Sequence, residues 1–107
     1  MINNTQSITT IKANKQITLY CPLGEDYYTA DIYITFLPNA HYMDYVDLDI
    51  FLINLSGKSL TIEDACNEVY NELQKYKPKK TNVTIKAYSN THLNVVVTKG
   101  DNIWKNN

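Results

Sequence analysis

A chain of 107 residues has room for one domain around one modest hydrophobic core. Its 10 basic and 11 acidic side chains leave a net charge of −1, which argues against a broad nucleic-acid-binding face. No apolar run approaches the roughly 18 residues of a membrane span, and MINNTQSITTIKANK has no apolar core of an export signal. Two cysteines without such a signal predict free thiols and a cytoplasmic setting, with no membrane partner.

In chain order, residues 1–15 are polar and aperiodic and read as a flexible N-terminal segment. The domain proper is expected over 16–100, with 101–107 as a C-terminal tail in which only Ile103 and Trp104 are apolar. Gln16 to Tyr20 reads as a short strand. Cys21-Pro22 follows in turn-like sequence, just ahead of a strong strand from Asp31 to Leu37. There Ile32, Ile34 and Phe36 point one way and Tyr33, Thr35 and Leu37 the other, and Pro38 ends the run. Asp47 to Asn54 reads as a second strand, with Leu48, Ile50 and Leu52 on one face.

A helix is predicted over 61–76, because Ile62, Ala65, Cys66, Val69, Tyr70, Leu73 and Tyr76 recur at three- and four-residue spacing. Ser59 or Thr61 can cap it, Asp64 stands three residues after Thr61, and Pro78 stops it. Cys66 lies on the apolar stripe and reads as a core residue. Lys75, Lys77, Lys79 and Lys80 crowd the helix end, as a solvated terminus whose cations offset the dipole or as a contact for tRNA phosphates. Asn82 to Tyr88 and Leu93 to Lys99 read as two more strands, joined by the turn residues SNTH.

Strand, strand, helix, strand, strand implies an α+β fold, an antiparallel four-stranded sheet with one main helix on one face. The other face would carry Tyr33, Thr35, Phe51 and Ile53, and the sheet edges would be open. Identical subunits closing a barrel would cover both, so a homo-oligomer is expected. Nine tyrosines suit half-buried strand positions and subunit interfaces alike. His41 and His92 have no ligand-like companions, so no metal site is expected. With 3 glycines there is no glycine-rich phosphate loop.

On these residues the chain resembles the tunnelling-fold (T-fold) 7-cyano-7-deazaguanine nitrile reductases, the QueF superfamily. It is most similar to their compact QueF-like amidinotransferase branch, which acts on the same nitrile in tRNA. Cys21-Pro22 matches the cysteine-proline that opens that family's active site. Ala30 to Ile34 falls on its first long strand, Glu63-Asp64 on its glutamate-aspartate pair at the same ungapped spacing, and VTIKAY and LNVVVTKG on its final hairpin. The match covers roughly residues 17–100.

The resemblance implies a purine-like ligand at an intersubunit site. A Cys21 thiolate would attack the nitrile carbon to form a thioimide. Glu63, from an adjacent subunit, would accept two hydrogen bonds from the purine's amino-pyrimidine edge. The sequence also departs from the family. The proton-donating aspartate falls on Tyr28, and the histidine beside the anchoring glutamate falls on Ile62. The NADPH motif's glutamate and two lysines fall on Asp44, Val46 and Asp49, so no NADPH cofactor is expected. Asp26 or Tyr28 would have to supply the proton, although a phenol with a pKa near 10 is a poor acid at neutral pH.

Two function classes follow. One is a purine binder or amidinotransferase-like enzyme working through Cys21 and Glu63. The other is a non-catalytic oligomeric interaction module with a vestigial pocket, in which Cys21 is a small apolar residue near a turn and Glu63 only complements the helix dipole. A cavity shared by Cys21 and Glu63 separates them, as against one filled by Tyr28 and Ile62.

Overall fold

The structure, a computed structural model, describes residues 1–88 and 93–103. The elements run β1 (Ile2–Asn3), β2 (Ile11–Cys21), β3 (Asp26–Leu37), β4 (His41–Tyr42), α1 (Tyr45–Leu55), α2 (Ile62–Gln74), β5 (Lys80–Tyr88) and β6 (Val95–Gly100). The main sheet has the order β2-β3-β5-β6, and every neighbouring pair is antiparallel. This is the α+β architecture expected from the sequence, with a second helix added.

The sheet is two-faced because its alternation is strict. Directly opposed pairs place Ile17 beside Ala30, Ala30 beside Ala87, Ile32 beside Ile85, and Ile34 beside Val83. These side chains form the core together with Leu19, Phe36 and the helices' apolar residues. α2 closes this face with Ala65, Cys66, Val69 and Leu73, all buried as the stripe predicted. Thr61 caps the helix, its Oγ1 accepting the Asp64 N–H at 3.1 Å. The Cys66 thiol donates to the Val83 carbonyl at 3.4 Å, and burial pushes its pKa up, as for a thiol used for packing.

The strand expected over 47–54 is helix α1 instead. Leu48, Ile50 and Leu52 satisfy a period of two, but Leu48, Leu52 and Leu55 satisfy i, i+4, i+7 equally well. The helix buries the second set. Leu48 and Leu52 are 4% and 3% exposed, while Ile50 is 49% exposed. Asp44 starts the turn, its Oδ1 accepting the Val46 N–H at 2.8 Å. The segment YVDLDIFLINL is apolar nearly all round, so its pattern holds no period that separates the two readings.

Phe51 and Ile53 therefore do not lie on the outer sheet face. That face carries Asn14, Gln16, Thr18, Asp31, Tyr33, Thr84 and Lys86 and is largely polar. The sheet also begins earlier than expected. β2 starts at Ile11, which is buried, and β1 pairs with β4 through Ile2 and Tyr42, so half of the 1–15 segment is strand. β3 likewise begins at Asp26, five residues ahead of the expected Asp31. The SNTH turn, His92 and Trp104 lie outside the described residues. No helix among the described residues is long and apolar enough to cross a membrane.

Candidate functional site

The site is built at one end of the sheet, where β2 turns into β3. Residues 22–25 form a tight loop in which the Glu25 N–H donates to the Cys21 carbonyl at 2.8 Å. Glu25 takes the left-handed conformation, with φ +54°, that closes the turn. The Gly24 N–H donates to the Cys21 Sγ at 3.3 Å, so the loop holds the sulfur directly. Cys21 continues the alternation of Ile17 and Leu19 and thus stands on the helix-covered face, half-buried.

Asp26 is the residue directly opposite Cys21 in the register. Such opposed pairs have Cβ atoms roughly 4.5–5.5 Å apart. Asp26 Oδ1 accepts the Tyr27 N–H at 2.8 Å, which fixes the carboxylate at the loop's exit.

A second piece of chain brings Glu63 to the same place. After α1, residues 57–60 run alongside the outer edge of β2. The Gly57 N–H donates to the Thr18 carbonyl (2.7 Å), the Tyr20 N–H to Lys58 (2.9 Å), and the Leu60 N–H to Tyr20 (3.0 Å). This covers one end of an otherwise open edge strand and delivers the start of α2 next to Cys21. Thr61 caps, and Ile62 and Glu63 occupy the first helical turn.

Tyr28 ties the two pieces together. Its hydroxyl donates to the Leu60 carbonyl at 2.6 Å, from a buried position on β3. Burial, and then the negative charge of Cys21, Glu63 and Asp64, push its pKa up to about 12. A phenol in that condition is a weaker acid than a free one, and its proton is already committed to Leu60. Its visible work is to hold the start of α2 against β3.

Cys21, Asp26, Tyr28, Ile62 and Glu63 all line one cleft of about 290 Å³. The sequence reading drew the glutamate from a neighbouring subunit. Here the glutamate and the cysteine of the same chain share the cavity, because the 57–60 segment pins α2 to β2. Tyr28 and Ile62 are walls of the cleft and do not fill it.

The far wall was not anticipated. Ala87, Tyr88, Leu93 and Val95 come from the β5–β6 hairpin, and Leu23 and Tyr27 from the β2–β3 hairpin. Tyr88 pairs with Thr29, so the end of β5 lies beside the start of β3. Only the strand order brings these ends together, and no local pattern announces it. Tyr27 packs edge-on against Tyr20, with ring centroids 5.1 Å apart.

Asp44, Val46 and Asp49, the positions matched to the NADPH motif, sit at the start of α1 and do not line this cleft. Asp44 is spent on the helix cap, and Asp49 pairs with Lys15 at 2.8 Å. His41 bonds Asn3 through Nδ1 at 2.8 Å, on the β1–β4 ribbon.

Among solved structures, the chain is similar to the archaeosine synthase QueF-Like in its apo form. The TM-score is 0.80 at 13% identity, over 87% of this chain and 93% of that one. The chain shares the fold of that protein, a T-fold. No family model and no curated protein matches the sequence. At this identity the likeness establishes the T-fold's architecture, and the cleft's chemistry rests on the residues just described.

Proposed function

We propose that this T-fold protein binds a 7-deazaguanine or a related purine in the Cys21–Glu63 cleft, with amidinotransferase-like chemistry at Cys21 and no use of NADPH. The observation that carries this reading is the convergence of Cys21, Asp26 and Glu63 on one open cleft. Its volume of about 290 Å³ falls just below the roughly 300–1,000 Å³ of drug-sized ligand sites and suits one bicyclic base.

Each residue takes a role its position supports. Glu63, exposed in the first turn of α2, accepts the paired N–H groups of the purine's amino-pyrimidine edge. Tyr27 and Tyr88 line the cleft beside them. Cys21 adds to the nitrile carbon. A new S–C bond forms, one C–N π bond opens, and the electron pair goes to the nitrile nitrogen. Asp26, opposite the sulfur, takes the thiol proton and passes it to that nitrogen, so the sum is one thiol and one nitrile giving one thioimide. An amine can then attack the thioimide carbon, expel the thiolate and leave an amidine. Tyr28 acts as a positioning residue and Ile62 as an apolar wall.

The test separates binding from chemistry. Glu63→Ala removes a charge-assisted pair and is expected to weaken calorimetric binding of 7-cyano-7-deazaguanine by about 2–3 kcal/mol. Cys21→Ala leaves non-covalent affinity within about 0.5 kcal/mol. An unchanged affinity in Glu63→Ala would remove the anchor from the account.

A further inference from the structure

Helix α1 has a second apolar face that the single chain leaves uncovered. Leu48, Leu52 and Leu55 pack inward, yet Val46, Ile50 and Ile53 stand 65%, 49% and 50% exposed. At about 100° per residue these three fall within one sector of roughly 60°, turned away from the buried leucines. Tyr45 is exposed beside the stripe and stacks on Tyr42, with ring centroids 6.1 Å apart. A helix that is apolar on all sides is normally buried on all sides, and here only one side of α1 is covered.

The spacing of the stripe selects what covers it. Val46 and Ile53 stand roughly 10.5 Å apart along the helix, and Ile50 lies within one residue of their midpoint. A second α1 laid antiparallel therefore sets Val46 against Ile53 of the second copy, Ile53 against its Val46, and Ile50 against its Ile50, across a two-fold axis. The charges permit this. Asp49, on one flank, is already paired with Lys15 at 2.8 Å. On the other flank Asp47, an acceptor, comes opposite the amide of Asn54, a donor, in the second copy. The helix dipoles also run in opposite directions, each positive end beside a negative one.

The area fits a reversible pair. Tyr45, Val46, Ile50 and Ile53 expose on the order of 400 Å² per copy, within the roughly 300–600 Å² of the largest apolar patches on a monomer. Two copies bury roughly 800 Å² through them, and the exposed flanks carry the total past about 1,000 Å², the least a specific interface needs. An interface of that size implies a dissociation constant of about 10–100 µM, so the contact opens on dilution.

We infer that the outer face of α1 is a two-fold docking surface for a second copy of this chain, with Val46, Ile50 and Ile53 as its seam. It is separate from the sheet edges, since α1 packs on β2 through its opposite side, and no α1 residue lines the Cys21–Glu63 cleft. The inference holds whatever ligand that cleft takes.

Position-specific crosslinking of the whole chain at about 200 µM tests it, in a Cys21→Ala background that leaves the buried Cys66 as the only native thiol. A disulfide needs Cα atoms within about 7 Å. Ile50→Cys meets its own copy at the axis and should form a covalent dimer under mild oxidation. Val46→Cys, although more exposed, sits roughly 10.5 Å along the seam from its own copy and should link at least about tenfold more slowly. Mixed with Ile53→Cys, it should link about as fast as Ile50→Cys does. Sedimentation gives a readout without thiols. Ile50→Glu, at an exposed site, should keep the circular dichroism of the wild type but lose an association step above about 10 µM, because it sets two carboxylates at the axis. Equal linking rates for Ile50→Cys, Val46→Cys and an off-stripe Asn54→Cys would mark random collision and overturn the inference. So would the absence of an Ile50→Cys dimer at about 200 µM, or a sedimentation profile that Ile50→Glu leaves unchanged.

Discussion

Replacing Tyr28 by Phe tests how the cleft is held together, because it removes a single hydroxyl. The ring still fills its buried position, but the 2.6 Å bond to the Leu60 carbonyl is lost. One buried neutral hydrogen bond is worth about 0.5–1.5 kcal/mol, so the variant should be less stable by that amount at pH 7. The pH dependence gives a sharper signature. The folded-state pKa is about 12, above the ordinary value of 10.0. A group whose pKa is raised by folding contributes stability that is fully present below its unfolded pKa and is lost as pH rises through the folded one. Between pH 8 and 11 the unfolded chain gains about 1.4 kcal/mol from ionising this phenol, while the folded chain gains almost nothing. The wild-type protein should therefore surrender about 1.4 kcal/mol over that range beyond what Tyr28→Phe surrenders. Its lead at pH 7 should be gone by pH 11, ending between about zero and a deficit of about 0.9 kcal/mol. Contributions from every group the two proteins share cancel in the difference. Urea denaturation at several pH values measures it. Parallel stability curves for the two proteins from pH 8 to 11 would refute the burial of this hydroxyl.

Helix α1 is open to a paired test, since Ile50 and Leu52 share a face in a strand and part company in the helix. Leu52→Ala should cost about 2–5 kcal/mol and Ile50→Lys within about 0.5 kcal/mol, by chemical denaturation; equal costs would favour a strand. The thiols should differ in kind. Cys21 is half-buried at a cleft mouth and Cys66 is fully buried, with its pKa pushed up, so a thiol reagent should label one site quickly and the second only on unfolding. Two thiols reacting together in the native protein would contradict this placement. Thr61→Ala should cost about 1 kcal/mol of stability by removing the α2 cap, and a larger fraction of ligand affinity than a distant mutation of equal cost, because it loosens the turn that carries Glu63.

Where one face of an element is buried and the other polar, the sequence was readable. The α2 stripe, its Thr61 cap, the alternation of Ile32, Ile34 and Phe36, and the burial of Cys66 all follow from a clear period. α1 was not readable, because a segment apolar on all sides fits two periods at once and its packing over β2 decides between them. The start of β2 was missed for the opposite reason. Lys12, Asn14 and Gln16 belong to a polar outer face, and Lys15 reaches across to Asp49, so the strand looks like a loop when read alone. In the cleft, Cys21 and Glu63 could be named from the sequence, but their meeting within one chain depends on the backbone pairing of residues 57–60 with Thr18 and Tyr20. Backbone pairing leaves no mark on side-chain pattern, and the same holds for the wall contributed by Tyr88 and Val95.

The central claim is that Cys21 is a nucleophile facing a nitrile held by Glu63. Intact mass measurement after incubation with 7-cyano-7-deazaguanine tests it most directly. The expected change is a gain of one whole ligand, since addition to a nitrile expels nothing. The adduct should persist in Cys66→Ala, vanish in Cys21→Ala, and form more slowly in Asp26→Asn, which cannot relay the proton. An unmodified mass under conditions where calorimetry shows binding, or an adduct that survives Cys21→Ala, would contradict it.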